Sequence, residues 1–120
     1  MAKMSLPELS AQMIFVYHSD PKFLEKNHLG NVLVMQNMLK RPKILSAELK
    51  HITSWEIPAW TSIDQEGGKV NRIKKLKGQG ANPSARAMSS WSMESVEQKA
   101  RNIAKICLLY TSPSPRDSDS

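Results

Sequence analysis

Over the first half of this chain, short apolar runs alternate with stretches whose apolar residues recur at helical spacing. Residues 12–17 (QMIFVY) and 31–36 (NVLVMQ) are rich in strand formers and predict two strands, and residues 59–63 (AWTSI) predict a third. Ahead of the first run, Ser5 and Glu8 stand at the spacing of a capping box, in which each side chain satisfies a free backbone N–H, so a short helix or turn starts there. Asp20 followed by Pro21 predicts a helix over residues 21–28. Asp caps the first turn, and Pro at the first helical position gives up no useful hydrogen bond. Phe23 and Leu24 are expected on one side of that helix, and Gly30 as its left-handed stop. Residues 37–40 read as a loop. Pro42 then opens a helix to residue 52, with Leu45, Leu49 and Ile52 on one face. Residues 73–91 hold two glycines, a proline and three serines and predict a long loop with at most a short helical turn. A last helix follows from Ser92, with Val96, Ala100, Ile103, Ala104 and Leu108 at helical spacing and Ser92 or Ser95 as its cap.

This alternation implies an α/β fold of parallel strands joined by crossovers, either a (β/α)8 barrel or a doubly wound sheet. Strand alternation puts Trp60, Ser62 and Asp64 on one face of the third strand and Ala59, Thr61 and Ile63 on the other. If Asp64 faces a barrel mouth, the first set lines the interior and the second packs on helices. Trp60 is expected as a core residue rather than a sugar platform.

Composition narrows the class. A chain of 120 residues is one domain at most, and 40% apolar residues suffice for a core without surplus. No apolar run is long enough to predict a membrane span. Pro7, Glu8 and Gln12 interrupt what would otherwise be the apolar core of a secretory leader. One cysteine, Cys107, cannot form an internal disulfide, and a cytoplasmic location is expected. The net charge of +6 is concentrated. Residues 1–68 balance seven basic against seven acidic side chains, whereas residues 69–106 carry nine against two.

The chemistry sits where that basic segment begins. In residues 57–72 (IPAWTSIDQEGGKVNR), a short strand stops at Asp64, the Gly67–Gly68 pair follows, and Arg72 lies eight residues past Asp64. Side chains at the C-terminal ends of strands surround ligands in α/β folds. Glycines without a Cβ let the backbone turn sharply and approach whatever binds. A carboxylate and a guanidinium facing one cavity suit a ligand rich in hydroxyls, which both donate and accept hydrogen bonds.

The run DQEGGKVNR, residues 64–72, resembles the signature of glycoside hydrolase family 3, in particular its β-N-acetylhexosaminidase branch, where Arg is usual in place of Lys69. NPSARAMS, residues 82–89, resembles the segment that follows that signature. The resemblance implies that residues 1–106 are the N-terminal part of a catalytic (β/α)8 TIM barrel, roughly its first three β/α units. It implies a retaining glycosidase that hydrolyses terminal β-linked N-acetylglucosamine in a glycan or cell-wall fragment and needs no cofactor. Asp64 and Arg72 match positions that hold the sugar in the first subsite. The catalytic aspartate and the His/Asp acid–base pair of that family belong to segments not found in these 120 residues, so this piece by itself is expected to be inactive. Glu66 reads as a turn residue rather than a catalytic acid. Lys69 keeps the charge of the usual Arg but loses its planar fork.

Other features change the picture less. His18, His28 and His51 show no metal-ligand spacing and are expected at the surface or at helix ends. Lys69, Arg72, Lys74, Lys75 and Lys77 offer the alternative of a small basic nucleic-acid-binding protein. No aromatic residue lies between Lys69 and Lys77 to stack on bases, so nucleic acid is the weaker reading. From Cys107 the composition turns to Ser, Pro and Asp, and CLLYTSPSPRDS resembles translated sequencing-adaptor read-through. Residues 107–120 are therefore expected to be a disordered, non-native tail. Three barrel units without the rest leave an open sheet, so the isolated chain is expected to be poorly soluble or molten.

Overall fold

The computed structural model of the chain describes residues 3–76 and 81–111. It is a mixed α/β structure. In order come α1 (Leu6–Gln12), β1 (Phe15–Tyr17), α2 (Pro21–Lys26), β2 (Asn31–Val34), a 3-10 turn (Met38–Lys40), α3 (Pro42–Thr53) and β3 (Trp60–Ile63). The hairpin of β4 (Gln65–Gly67) and β5 (Val70–Asn71) follows, then α4 (Ala85–Met88) and α5 (Met93–Thr111).

The caps form where the sequence places them. The Glu8 N–H donates to Ser5 Oγ at 3.4 Å, and the Ser5 N–H donates to Glu8 Oε2 at 2.9 Å. The Lys22 N–H donates to Asp20 Oδ1 at 3.1 Å. The first strand is shorter than its apolar run because Gln12 belongs to α1. From there Gln12 Nε2 donates to the His28 carbonyl at 2.9 Å, and its own carbonyl accepts from Asn31 Nδ2 at 2.7 Å. The stop after α2 also differs from expectation. His28, with φ 50°, takes the left-handed conformation, and Gly30 does not. Gly30 is needed for close approach instead, since a Cβ there would lie 2.7 Å from the Gln12 Cα.

Strands β1, β2 and β3 form one parallel sheet in that order. The register pairs Val16 with Val32 and Val32 with Thr61, and Val34 with Ile63. This face packs on the helices, because Val32 and Val34 are fully buried with Leu24, Leu49 and Ile52. Leu45, Leu49 and Ile52 are all buried, as their spacing on α3 predicts. On α2 only Leu24 turns inward; Phe23 remains 53% exposed.

The other face of the sheet is covered less: Phe15, Tyr17 and Trp60 are exposed there, while Asn31, Leu33 and Ser62 are half-buried. Phe15 pairs with Asn31 and Asn31 with Trp60, while Tyr17 pairs with Leu33 and Leu33 with Ser62. Trp60 is 77% exposed, which corrects its expected place in the core: helices cover only the opposite side. The alternation itself holds, with Thr61 and Ile63 toward the helices and Trp60 and Ser62 on the open side.

Helix α5 packs by one side and runs further than expected. Ile106 and Cys107 pack against the core and Val96 and Ile103 are half-buried, while Ala100, Ala104 and Leu108 are exposed. It also continues through Cys107 to Thr111, so residues 107–111 are helical rather than disordered. Ile106 and Cys107 pack against the core and carry the helix past the compositional break. Residues 112–120 of the expected tail lie outside the described residues. Burial pushes the Cys107 thiol above its ordinary pKa by penalising the thiolate. Two results are expected. Alkylation of Cys107 at pH 8 runs several-fold slower in the folded chain than in urea, and equal rates would contradict the packing. Because the folded pKa is raised, the contribution to stability is complete below the unfolded thiol pKa and is lost as pH rises through the folded value.

Candidate functional site

Asp64 follows the last residue of β3 and is exposed at the C-terminal edge of the sheet. The chain leaves it through the β4–β5 hairpin. Gln65 pairs with Asn71, with a bulge between Gln65 and Gly67, so Asp64 and Arg72 stand one residue further out on the two arms. The glycine pair makes this possible. Gly67 has φ 82° and Gly68 φ 59°, both in the region that side chains disfavour. A Cβ on Gly67 would lie 2.1 Å from the Pro83 carbonyl oxygen, so the hairpin rests directly on the backbone of residues 82–84. The Gly68 N–H donates to the Asn82 carbonyl at 2.8 Å and fixes that contact.

A buried amide network locks the arms. Gln65 Nε2 donates to Asn71 Oδ1 at 2.9 Å, and Asn82 Nδ2 donates to the same oxygen at 3.2 Å. Gln65 Oε1 accepts from the backbone N–H of Arg72 at 2.9 Å and of Ile73 at 3.3 Å. Asn71 and Asn82 are 6% and 3% exposed, and a buried amide is tolerable only when bonded in this way. The network makes the segment around residue 82 the seat of the Gly–Gly hairpin. Asn71 and Asn82 carry this geometry, and the sequence gives no sign of them beyond their polar character.

Arg72 is half-buried, and its Nε is buried without a hydrogen-bond partner; Ser62 Oγ, on the same strand face as Asp64, is likewise buried and unpartnered. Among the described residues no ion pair joins Asp64 to Arg72. An exposed carboxylate, a guanidinium with a free N–H and a hydroxyl thus stand near one strand end. Together they can accept from and donate to vicinal hydroxyls. Glu66 is exposed in the bulged strand, and Lys69 is exposed at the hairpin turn. Lys74 and Lys75 are exposed in the following turn, whereas Arg72 is drawn inward; Lys77 lies outside the described residues.

The histidines divide. His51 is exposed, 3.9 Å from Glu25 and edge-on to Trp55, and His28 is exposed just past α2. His18 departs from the expected surface position. Its side chain is only 5% exposed and its Nε2 lies 2.7 Å from Glu48 Oε2. The Val16 side of β1 faces α3, so the residue two further on meets Glu48 of that helix. A cavity of about 260 Å³ lies beside this pair, lined also by Met38, Arg41 and Ile44, and another of about 200 Å³ touches Glu25, His28 and Trp55. Neither of these two cavities includes Asp64 or Arg72. Among the described residues no three His, Cys, Asp or Glu side chains cluster as metal ligands, and no helix is long and apolar enough to cross a membrane. No family model matches the chain, and no curated protein and no solved structure matches it.

Proposed function

We propose that this chain is the N-terminal part of a retaining glycosidase of the β-N-acetylhexosaminidase type. In this reading its parallel sheet forms the first three strands of a (β/α)8 barrel, and Asp64 and Arg72 hold a terminal N-acetylglucosamine. The observation that supports the reading most is the pinned hairpin. The Gly67–Gly68 turn and the Gln65–Asn71–Asn82 network bring Arg72 back to the strand end where Asp64 is exposed, with the Arg72 Nε unpartnered. Asp64 accepts from sugar hydroxyls and Arg72 donates to them; both are holding roles, and bond cleavage belongs to carboxylate and acid–base groups outside these 120 residues. The exposure of Phe15, Tyr17 and Trp60 on the face away from the helices also supports the barrel, because a barrel interior needs one face of each strand free of helices.

Ligand-observed saturation-transfer NMR with N-acetylglucosamine tests the holding role, since it detects millimolar binding. The wild-type chain is expected to give sugar signals. Asp64→Ala and Arg72→Ala each weaken binding about tenfold to a hundredfold, as expected for a lost charge-assisted hydrogen bond. Sugar signals unchanged in both variants would sink the assignment. Salt-sensitive binding to random DNA that ignores Asp64→Ala would instead favour the basic patch as a phosphate-binding surface.

A further inference from the structure

Helix α3 sets out three kinds of side chain along one side. Arg41 is its N-cap residue, Ile44 and Leu45 follow one turn on, and Glu48 stands one turn further. Residues three, four and seven apart share a helix face, and seven residues rise about 10 Å. A cation and an anion thus stand two turns apart with apolar surface between them. All four line the cavity of about 260 Å³ beside His18, as do Met38 and Lys40 of the 3-10 turn. Among the described residues no ion pair engages Lys40 or Arg41. Glu48 is held from behind. Its Oε2 lies 2.7 Å from Nε2 of the buried His18. A carboxylate only accepts, so Nε2 carries the proton. His18 Nδ1 is buried without a partner, so the ring spends its one hydrogen bond on fixing Glu48. The other carboxylate oxygen, Oε1, has no partner among the described residues, and neither has the amide of Asn37 on the same cavity wall.

We propose that this cavity binds a short apolar peptide with free ends, a dipeptide such as alanyl-valine. Its ammonium group meets Glu48, its carboxylate meets Arg41 and Lys40, and its side chains lie on Met38, Ile44 and Leu45. The Asn37 amide serves the central peptide group, which both donates and accepts. An extended dipeptide spans about 7 Å between its ends. The Arg41 and Glu48 side chains can reach over the rest of the two-turn separation. A single α-amino acid carries both charges on one carbon and cannot. At about 30 Å³ per water, the cavity has room for about nine waters, which suits a dipeptide and not a long peptide. The position is one where α/β folds take ligands, since His18 follows β1 and the 3-10 turn follows β2 at the C-terminal edge of the sheet. The site is separate from the proposed sugar site. His18 lies on the helix side of the sheet, whereas Asp64 shares the opposite face with Trp60 and Ser62.

Titration of the 15N-labelled full chain with alanyl-valine to tens of millimolar tests this. Saturable amide shifts are expected at His18, Leu39, Leu45 and Glu48, and none at Gly67 or Gly68. Capped ligands need no variant. N-acetyl-alanyl-valine lacks the ammonium group and alanyl-valine amide lacks the carboxylate. Each is expected to bind about tenfold or more weakly, as for one lost charge-assisted contact, and so is free leucine. The variants should then follow the caps. Glu48→Gln keeps an acceptor for His18 and weakens the free dipeptide about tenfold, but leaves the N-acetylated form unchanged. Arg41→Gln with Lys40→Gln weakens the free dipeptide and leaves the amide form unchanged. No saturable shift overturns the proposal, as do shifts centred on Asp64 and the glycine pair. Capped forms or leucine that bind as tightly as the free dipeptide overturn it too. Asp64→Ala leaves dipeptide affinity unchanged while removing the sugar-holding carboxylate, so the two readings fail separately.

Discussion

Gly67→Ala is expected to cost about 3 kcal/mol and to release the hairpin from its seat. Two penalties act at once. The φ of 82° is one that an L side chain rarely adopts, and the new Cβ would meet the Pro83 carbonyl oxygen at 2.1 Å. That neighbour is backbone, so the clash is relieved only by moving residues 82–84 or by opening the β4–β5 turn. Either movement breaks the bond from the Gly68 N–H to the Asn82 carbonyl and loosens the amides of Gln65, Asn71 and Asn82. Urea unfolding should show the lower midpoint, and hydrogen exchange should show faster exchange of the Gly68 and Arg72 amides. Gly68→Ala is the internal comparison. Its added Cβ would lie 3.0 Å from the Ser84 side chain, which can shift, and its cost should be about 1 kcal/mol. Equal effects at the two glycines would show that the seat on Pro83 is not what holds the hairpin.

The second large effect is in the core. Leu49→Ala is expected to destabilise the chain by about 3–4 kcal/mol, the lost transfer energy of a buried leucine plus the cavity it leaves. Leu49 is fully buried on α3, in a core shared with Leu24 of α2, Val32 and Val34 of β2, and Ile106 of α5. Against the ~5–15 kcal/mol available to a typical domain, this removes a large share of the stability. Ile44→Ala on the same helix, at a side chain 53% exposed, should change stability by less than about 0.5 kcal/mol. Both must be measured at one protein concentration, since self-association would shift apparent stability. A Leu49→Ala midpoint indistinguishable from that of Ile44→Ala would contradict the packing of α3 on the sheet.

Local signals in the sequence carried much of this fold. The capping residues Ser5, Glu8 and Asp20 act through neighbours in the chain, and the Leu45–Leu49–Ile52 face is a periodicity that survives any tertiary context. The alternation of Trp60, Thr61, Ser62 and Ile63 was equally legible. The exposure of the side away from the helices was not, because it depends on what packs across the sheet. Trp60, a large apolar residue on a strand, therefore looks like core until the helices are seen to lie on the other face. The packed side of α5 was not legible for a related reason. Its apolar residues are too sparse to define one stripe, and contact with the core selects Ile106 and Cys107 over Ala100 and Leu108. At the candidate site, Asp64, the glycine pair and Arg72 stood out by spacing. The amides that fix them did not, since Gln65, Asn71 and Asn82 acquire meaning only when the hairpin and residues 82–84 meet. His18 and Glu48, thirty residues apart, are joined by the same kind of tertiary contact.

Amide chemical-shift mapping of the 15N-labelled chain during titration with N-acetylglucosamine bears most directly on what Asp64 and Arg72 do. Saturable shifts centred on Asp64, Gly67, Gly68 and Arg72, and absent around His18 and Glu48, are the predicted result. Shifts centred on the cavity beside His18, or no saturable shift at sugar concentrations of tens of millimolar, would contradict a sugar held at the end of the third strand.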